Sequence, residues 1–366
     1  MGFVTAMTAP IEILYAHRFG AGNVAITAFV MISSVGLITV DLFGTRFVPR
    51  LEPRASITVG MAGFAMASLL MGVAQSFPPL LIARALQGTS AALLQGALLQ
   101  AAVRTSDSRE RALGALNSAV LLGGAIGAPA GGIVANLLAG TAGFRLAFGM
   151  CAALGVLTSI GIWTCLPSLP TNERPELGLP RLSGSSVMGL ALVLGMLGYY
   201  LRSGVVNTAL PLVGAEHHLS TAVIGIALGA LAGVQIVTLR FADRLFARFA
   251  ADDCLVVGLV VGIAASALLI VAHGWAAFTV AAMLFGFLVA VAMVGPPLVI
   301  MSLSPDASTG LASYRIACGV GSLAGSTSIN ATVAATGAAG ALSMIGGVLL
   351  GGIALVGLIG RRLAEL

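Results

Sequence analysis

The sequence predicts an all-α membrane protein with twelve transmembrane helices in two six-helix, pseudo-symmetric halves. Three observations carry this prediction: 58% of the 366 residues are hydrophobic, only 8% are charged, and apolar runs recur along the whole chain. A soluble domain has about 25% charged residues and hides its apolar side chains in a core. Because this chain has too few charges for such a surface, lipid must be its solvent, and an ordinary soluble enzyme is excluded.

The apolar runs are long enough to cross a bilayer as helices, which takes about 20 residues for a hydrocarbon layer of about 30 Å. They lie near 1–16, 22–41, 56–75, 79–103, 112–138, 144–166, 187–212, 222–239, 254–272, 275–300, 308–333 and 339–360. The first is short, because sixteen helical residues reach only about 24 Å. We expect that the start of this first helix is missing and that the natural helix begins upstream of Met1.

A proline-rich linker divides the spans six and six. Residues 167–185 separate an N-terminal half, 1–166, from a C-terminal half, 186–366. Two equal halves are typical of transporters built from repeats, in which the substrate path lies between the halves. The opening of span two, Ala21–Ile26, weakly resembles the opening of span eight, Ser220–Gly225.

The arginines predict the orientation, because basic loops stay in the cytoplasm. The loops after the even-numbered spans and the carboxyl end hold thirteen: Arg46, Arg50, Arg54, Arg104, Arg109, Arg111, Arg174, Arg181, Arg240, Arg244, Arg248, Arg361 and Arg362. The opposite loops hold only Arg18 and Arg145. We therefore expect both termini in the cytoplasm and the chain in the cell membrane.

Span four carries an arginine inside an apolar helix, in the string Arg84–Gly88 (RALQG) followed by Ala91 and Ala92. A guanidinium at this depth is costly unless it is paired or faces water, which favours a functional role. The alternative is a snorkelling arginine, since Arg84 lies about five residues from the outer end of its span. The string resembles the fourth-helix motif of the major facilitator superfamily, in which the arginine is associated with proton transfer.

Span five carries small residues at helical spacing, with a proline that bends the helix: Gly114, Gly123, Gly127, Pro129, Gly131 and Gly132. Such glycines allow another helix to approach closely, although generic packing of small residues is the alternative. The spacing resembles the fifth-helix antiporter motif of drug-exporting facilitators, except that Ala128 separates Gly127 from the proline. Gly310 and Gly319 in span eleven repeat the interval from Gly114 to Gly123, as internal repeats predict.

The loop between spans two and three resembles the superfamily's usual motif only in part. Gly44, Arg46, Arg50 and Arg54 are present, but Pro49 stands where an aspartate would precede Arg50. The sequence therefore lacks the aspartate that a conformational latch of this motif would use. Asp41, at the end of span two, is a candidate to replace it.

Few ionisable groups are predicted at membrane depth: Glu12, Asp41, Arg84, Arg202 and Arg315. Burial of the Glu12 carboxyl would favour its neutral form, as a proton carrier requires. The alternative is an exposed carboxylate at the rim, beside His17 and Arg18. Our candidates for proton coupling are Glu12, Arg84 and Asp41.

Arg202 is the deepest of the cations, about sixteen residues into span seven. The alignment of the two halves separates it from Glu12 by nine residues, or about 13 Å, so a direct ion pair between them is not expected. We interpret it as a cavity cation that faces an anionic or acceptor-rich group of the substrate. Tyr199, Asn207 and Gln87 are the other candidates for the substrate cavity. For Arg315 we favour a structural role over a role in transport, because its side chain could reach the cytoplasmic surface.

The sequence has no HExxH, GxSxG or phosphate-loop motif, and its four cysteines form no CxxC pair. We therefore expect no enzyme activity, no cofactor, no metal and no nucleic-acid partner. The predicted function is secondary active transport: proton-coupled efflux of a small amphipathic drug or secondary metabolite by a monomer, through alternating access. The alternatives are an importer or facilitator of a small organic anion, and a receptor-like or scaffold membrane protein.

Overall fold

The computed structural model describes residues 1–47, 52–104, 109–168, 186–242, 244, 248–249, 251–303 and 307–364. In these residues all regular secondary structure is helical. The chain forms two compact units, which we call the N-unit (Met1–Leu179) and the C-unit (Pro180–Leu366). These boundaries are close to the predicted halves, but the pseudo-symmetry and the count of twelve helices remain predictions.

The N-unit contains seven helices in its described residues: α1 (Gly2–Met7), α2 (Glu12–His17), α3 (Asn23–Phe47), α4 (Pro53–Val73), α5 (Phe77–Arg104), α6 (Arg109–Asn136) and α7 (Ala142–Cys165). The C-unit contains α8 (Ser186–Tyr200), a π-helix (Leu201–Ala209), α9 (Leu210–Glu216), α10 (Thr221–Arg240), α11 (Ala251–Val271), α12 (Trp275–Leu303) and α13 (Ala307–Ala364). Large apolar side chains on the outside of these helices, such as Val59, Leu157 and Val257, are exposed, as expected of lipid-facing surfaces.

Eight helical stretches of the described chain are long and apolar enough to cross a membrane. The predicted count is higher for identifiable reasons. The first predicted span is broken, the apolar part of the second is short (Val24–Val40), and the fourth is made more polar by Arg84 and its glutamines. The predicted spans eleven and twelve form one helical run, α13.

The first span is not one continuous helix from 1 to 16, as predicted, but two short helices separated by a turn at residues 8–11. Pro10 has no N–H to donate, so the helical ladder cannot pass through it. The backbone closes the gap with tight bonds: Ala9 donates to the carbonyl of Ala6, and Ile11 donates to that of Thr8. Glu12 therefore begins a new helix instead of lying inside a long one.

The run α13 reverses direction at Gly337, where φ is 73° and ψ is −173°. Thr332 donates a hydrogen bond to the sulfur of Met344 over 3.1 Å, although a straight helix would separate residues twelve apart by about 18 Å. The backbone N–H of Ala338, just after the reversal, donates to the carboxylate of Glu216 over 2.8 Å. The predicted boundary between spans eleven and twelve is thus marked by a left-handed glycine.

The same kinds of helix pair pack in each unit. In the N-unit, α1 packs on α6, α3 on α5, and α4 on both α5 and α7. In the C-unit, α8 packs on α13, α10 on α12, and α11 on both α12 and α13. In terms of the predicted spans, the first span of each half packs on the fifth, the second on the fourth, and the third on the fourth and sixth. In the C-unit, Gly321 of α13 lies against α8, and Leu349 of α13 lies against α11. This recurrence supports an internal repeat.

Candidate proton-coupling site

Glu12 and Arg84, the two charged residues that the sequence singles out in the first half, form an ion pair. Nη1 of Arg84 donates to Oε2 of Glu12 and, over 2.5 Å, to Oε1 of Gln87. The amide of Gln87 then donates to Oε1 of Glu12 over 2.5 Å and to the hydroxyl of Thr8 over 3.3 Å. Both carboxylate oxygens of Glu12 are therefore satisfied by two neighbouring residues of α5.

The ion pair is shielded from the surroundings. The side chains of Arg84 and Glu12 are only 17% and 12% exposed, and Gln87 is buried. The guanidinium carbon of Arg84 lies 5.3 Å from the ring centre of Phe29 on α3, a cation–π contact. Arg84 thus points inward, and neither the snorkelling arginine nor the rim carboxylate is the conformation observed. Nε of Arg84 is buried and has no hydrogen-bond partner among the described residues.

The short helix α2 is held in place by an aromatic cluster one turn beyond Glu12. The ring of Tyr15, which is 1% exposed, lies 5.6 Å from the ring of Phe144 and 5.3 Å from that of Phe148, both on α7. Arg145 donates to the hydroxyl of Tyr15 over 3.5 Å and to the carbonyl of Ala74, at the end of α4, over 3.2 Å. This cluster fixes the position from which Glu12 reaches Arg84.

The glycines of span five lie against the backbone of α1. A Cβ atom at Gly127 would overlap the carbonyl oxygen of Phe3, and one at Gly131 would overlap that of Met7. Gly123 meets the backbone of the same stretch, and Pro129 lies inside α6 beside these contacts. Close backbone approach therefore explains why glycine stands at these positions. Gly132 is buried, and the surroundings of Gly114 lie outside the described part of the chain.

The corresponding helices of the C-unit make the same kind of contact through glycines that the sequence reading did not single out. A Cβ at Gly321 would overlap the carbonyl oxygen of Met196, and one at Gly325 would overlap that of Tyr200. The spacing of four between Gly321 and Gly325 equals that between Gly123 and Gly127, so this signal was present in the sequence.

Arg202 belongs to the π-helix of the C-unit and is partly buried. Among the described residues its guanidinium has one hydrogen-bonding contact, from Nη1 to the sulfur of Met293 at 3.6 Å. Tyr199 packs edge-on against Tyr314, with ring centres 6.3 Å apart, whereas Asn207 is exposed. The sequence predicted an α-helix throughout this span and so missed the π-helical segment.

Asp41 and Arg315 are two further candidates that the sequence singles out. The side chains of Asp41 and Arg315 lie outside what the structure describes, although both belong to helices. The arginine-rich loop between α3 and α4 is described only from Glu52 onward, so Pro49 and Arg50 also lie outside.

The discontinuous first helix, the buried ion pair at its break and the glycine-mediated packing of α6 occur in a chain whose family is recognised by comparison with known proteins. The family model described as Major Facilitator Superfamily matches residues 1–326. The chain belongs to the major facilitator superfamily. It is accordingly a membrane transporter and not an enzyme.

Curated relatives of this facilitator include two proteins of Bacillus subtilis (strain 168). Multidrug resistance protein 2 is 28% identical over 138 residues, which are 37% of this chain and 33% of the relative. Multidrug resistance protein 1 is 26% identical over 172 residues, which are 46% of this chain and 41% of the relative. The facilitator thus matches between a third and about two fifths of the length of these relatives.

Solved structures resemble this facilitator over nearly its whole length. A bacterial homologue of the human lysosomal transporter Spinster, inward-facing and occupied, has a TM-score of 0.78 at 15% identity and covers 98% of this chain and 95% of its own. The nucleoside transporter NupG has a TM-score of 0.78 at 12% identity and covers 98% and 97%. At these identities the likeness shows a common fold and nothing about the substrate.

Proposed function

We propose that this facilitator is a secondary active transporter that exchanges protons for a small amphipathic molecule, a drug or secondary metabolite, and exports it by alternating access. The observation that carries the proposal is the buried ion pair of Glu12 and Arg84, tied to Gln87 at the break of the first helix. A carboxylate that can take up a proton and is paired with a cation in the apolar interior of a transporter can couple proton binding to a change of conformation.

The coupling step follows from the charges in the cluster. With Glu12 ionised, its charge cancels that of Arg84, and the helices α2 and α5 are tied together. When Glu12 takes up a proton, the ion pair is lost and Arg84 keeps Gln87 as its hydrogen-bond acceptor. A lone guanidinium in a weakly polar interior is costly, so protonation favours a conformation in which Arg84 gains water or substrate.

The glycine contacts supply a surface on which such a change can occur. Gly127 and Gly131 let α6 lie directly on the α1 backbone, next to the turn that carries Thr8 and leads to Glu12. Because the discontinuity at Pro10 uncouples α1 from α2, a shift of α6 against α1 need not bend α2. We propose that these glycines, with Pro129, form the gating contact.

The remaining architecture is proposed on the same basis. The proposed transporter has twelve spans in two six-helix halves, works as a monomer in the cell membrane and has both termini in the cytoplasm. The recurring helix pairs and the distribution of arginines support this arrangement. The names of the two Bacillus relatives support drug efflux as the physiological role.

As a second candidate function, the protein would import a small organic anion or facilitate its diffusion across the membrane. The observation that favours it is Arg202, a partly buried cation whose described hydrogen-bonding contact is a thioether. Under this alternative, protons would move in the same direction as the substrate or not at all.

An accumulation screen in cells tests the proposed export. Cells with the wild-type chain, with Glu12→Gln and without the chain are loaded with a panel of fluorescent amphipathic dyes, and retained fluorescence and growth inhibition are measured. The proposal predicts that the wild-type chain lowers retention of at least one dye and that Glu12→Gln does not. Higher retention with the wild-type chain would favour import, and unchanged retention of every dye would favour a role other than drug export.

A further inference from the structure

We propose that the C-unit contains a recognition site for an anionic group, a carboxylate or similar oxyanion, on a substrate that also carries an aromatic ring. Arg202 would bind the anion, and Tyr199, which packs against the buried Tyr314, would contact the ring. This inference rests on the proposed transport of a small molecule, whichever its direction, and it names the chemical class of that molecule.

The first step of the argument is the distribution of charge. The C-unit has six acidic residues, all in the loops or at the ends of predicted spans: Glu216, Asp243, Asp252, Asp253, Asp306 and Glu365. Glu216 is fourteen residues beyond Arg202, or roughly 20 Å along a helix, and its carboxylate accepts from Ala338. No acidic residue in the sequence of this unit therefore shares the depth of Arg202, in contrast to Arg84 and Glu12 in the N-unit.

The second step is the immediate environment of the guanidinium. Its hydrogen-bonding contact among the described residues is the Met293 sulfur, a weak acceptor that carries no charge. A half-buried arginine that has no carboxylate partner among the described residues is costly inside a membrane protein and marks an ion or substrate pathway. An incoming oxyanion would supply the missing charge and could accept two parallel hydrogen bonds from the planar guanidinium.

The third step is the aromatic surface next to this cation. Tyr199 lies three residues before Arg202, and its ring packs edge-on against Tyr314, with ring planes at 82°. Tyr314 is buried in a cluster with Met188, Leu192 and Cys318, so it supports the Tyr199 ring from behind. Aromatic side chains with a polar end favour ligands that are themselves partly aromatic. Arg202 and the partly buried Tyr199 ring together select a molecule with an anionic end and a flat apolar body.

The fourth step is the backbone that presents Arg202. The π-helix Leu201–Ala209 begins one residue before it, and the hydroxyl of Thr208 donates to the carbonyl of Ser203, five residues back. The hydroxyls of Ser203 and Ser326 bond to each other, which ties the π-helix to α13. Wide turns of this kind are frequent at functional sites because they change the direction in which side chains point.

A pair of probes that differ only in the anionic group tests the inference. Binding of pyrenebutyrate and of pyrenebutanol to the purified 366-residue chain is measured by fluorescence at neutral pH. We expect the wild-type protein to bind the carboxylate roughly tenfold more tightly than the alcohol, and Arg202→Ala to abolish this preference while alcohol binding stays within about twofold. Arg202→Lys should restore part of the preference, since it returns the charge without the fork.

Controls separate this inference from its alternatives. Arg240→Ala, which removes an exposed cation at the end of α10, should leave the preference unchanged. Equal binding of the two probes to wild type, or a carboxylate preference that survives Arg202→Ala, would overturn the proposal. Because the preference compares two probes on the same protein, the variant need not be as stable as wild type. Both probes are measured by binding at one pH without a proton gradient, so a failure of proton coupling in the transport assays is distinguished from a failure of this inference.

Discussion

Glu12 and Arg84 are 72 residues apart in the sequence, yet they form an ion pair between α2 and α5 inside the N-unit. Gln87, one turn after Arg84, bonds to both members of the pair. The arrangement satisfies each oxygen of the carboxylate with a separate donor. A change of one proton at Glu12 therefore changes the contacts between two helices.

Replacing Gln87 by leucine tests whether the amide tunes this proton. The variant removes a donor from the buried carboxylate, so the charged form of Glu12 loses a hydrogen bond worth about 1.5 kcal/mol. We expect the pH dependence of transport to move toward higher pH, because the charged carboxylate loses a donor. Gln95→Leu, an exposed site two turns along the same helix, is the matched control and should leave the profile unchanged.

The glycine contact of α6 makes a second prediction. Gly127→Ala places a methyl group on the Phe3 carbonyl, whereas Gly124→Ala has Ala6 as its nearest neighbour, 3.9 Å away. Overpacking of this kind costs about 1–3 kcal/mol, so Gly127→Ala should lower the melting temperature and slow dye export, and Gly127→Leu should abolish export without preventing insertion. Gly124→Ala should behave as wild type. If the two alanine variants are equally active, close approach at Gly127 has no role.

The orientation can be read by labelling single cysteines. In a background with Cys165→Ser, which removes an exposed thiol, Ser168→Cys reports on the linker and Ala215→Cys on the end of α9. An impermeant thiol reagent added to intact cells should label position 215 and leave position 168 unlabelled, because the arginine-rich loops stay inside. The opposite labelling pattern would overturn the predicted topology.

His217 makes a prediction about pH and stability. Burial lowers its pKa below the usual value, the charge of nearby His273 lowers it further, and Glu216 opposes them. The folded protein thus binds this proton more weakly than the unfolded chain, so stability is lost as the pH falls from about 6.5 through the folded pKa. Between about pH 7 and pH 5, the melting temperature of His217→Asn should fall less than that of wild type. We expect a small difference, because the ring is partly exposed. An identical pH dependence in both proteins would contradict this assignment.

Much of the candidate site was predictable from single residues. Arg84, Glu12 and Gln87 stand out because charged and amide side chains are rare in such apolar helices. Their assembly was not predictable, because sequence position gives the depth of a residue in a span but not the neighbour it faces. The sequence accordingly suggested Gln87 as a candidate for the substrate cavity, whereas in the structure its amide donates a hydrogen bond to Glu12 of the ion pair.

The irregular backbone was harder to foresee. Pro10 breaks the first span, but a proline inside a short apolar run is also compatible with a bent continuous helix. The π-helix at 201–209 has no simple sequence signature, since its side chains suit an α-helix equally well. The reversal at Gly337 was easier, because the apolar stretch that contains it is too long for one crossing.

Proton movement in proteoliposomes tests the central claim most directly. Vesicles with an internal pH indicator hold either the wild-type chain or Glu12→Gln, and the dye that the chain exports most strongly from cells is added outside. We expect the wild-type vesicles to become more alkaline inside, because dye enters as protons leave. Glu12→Gln should bind the dye without moving protons, since an amide keeps the shape and cannot release a proton. Internal acidification with wild type, or unchanged alkalinisation with Glu12→Gln, would contradict proton exchange through Glu12.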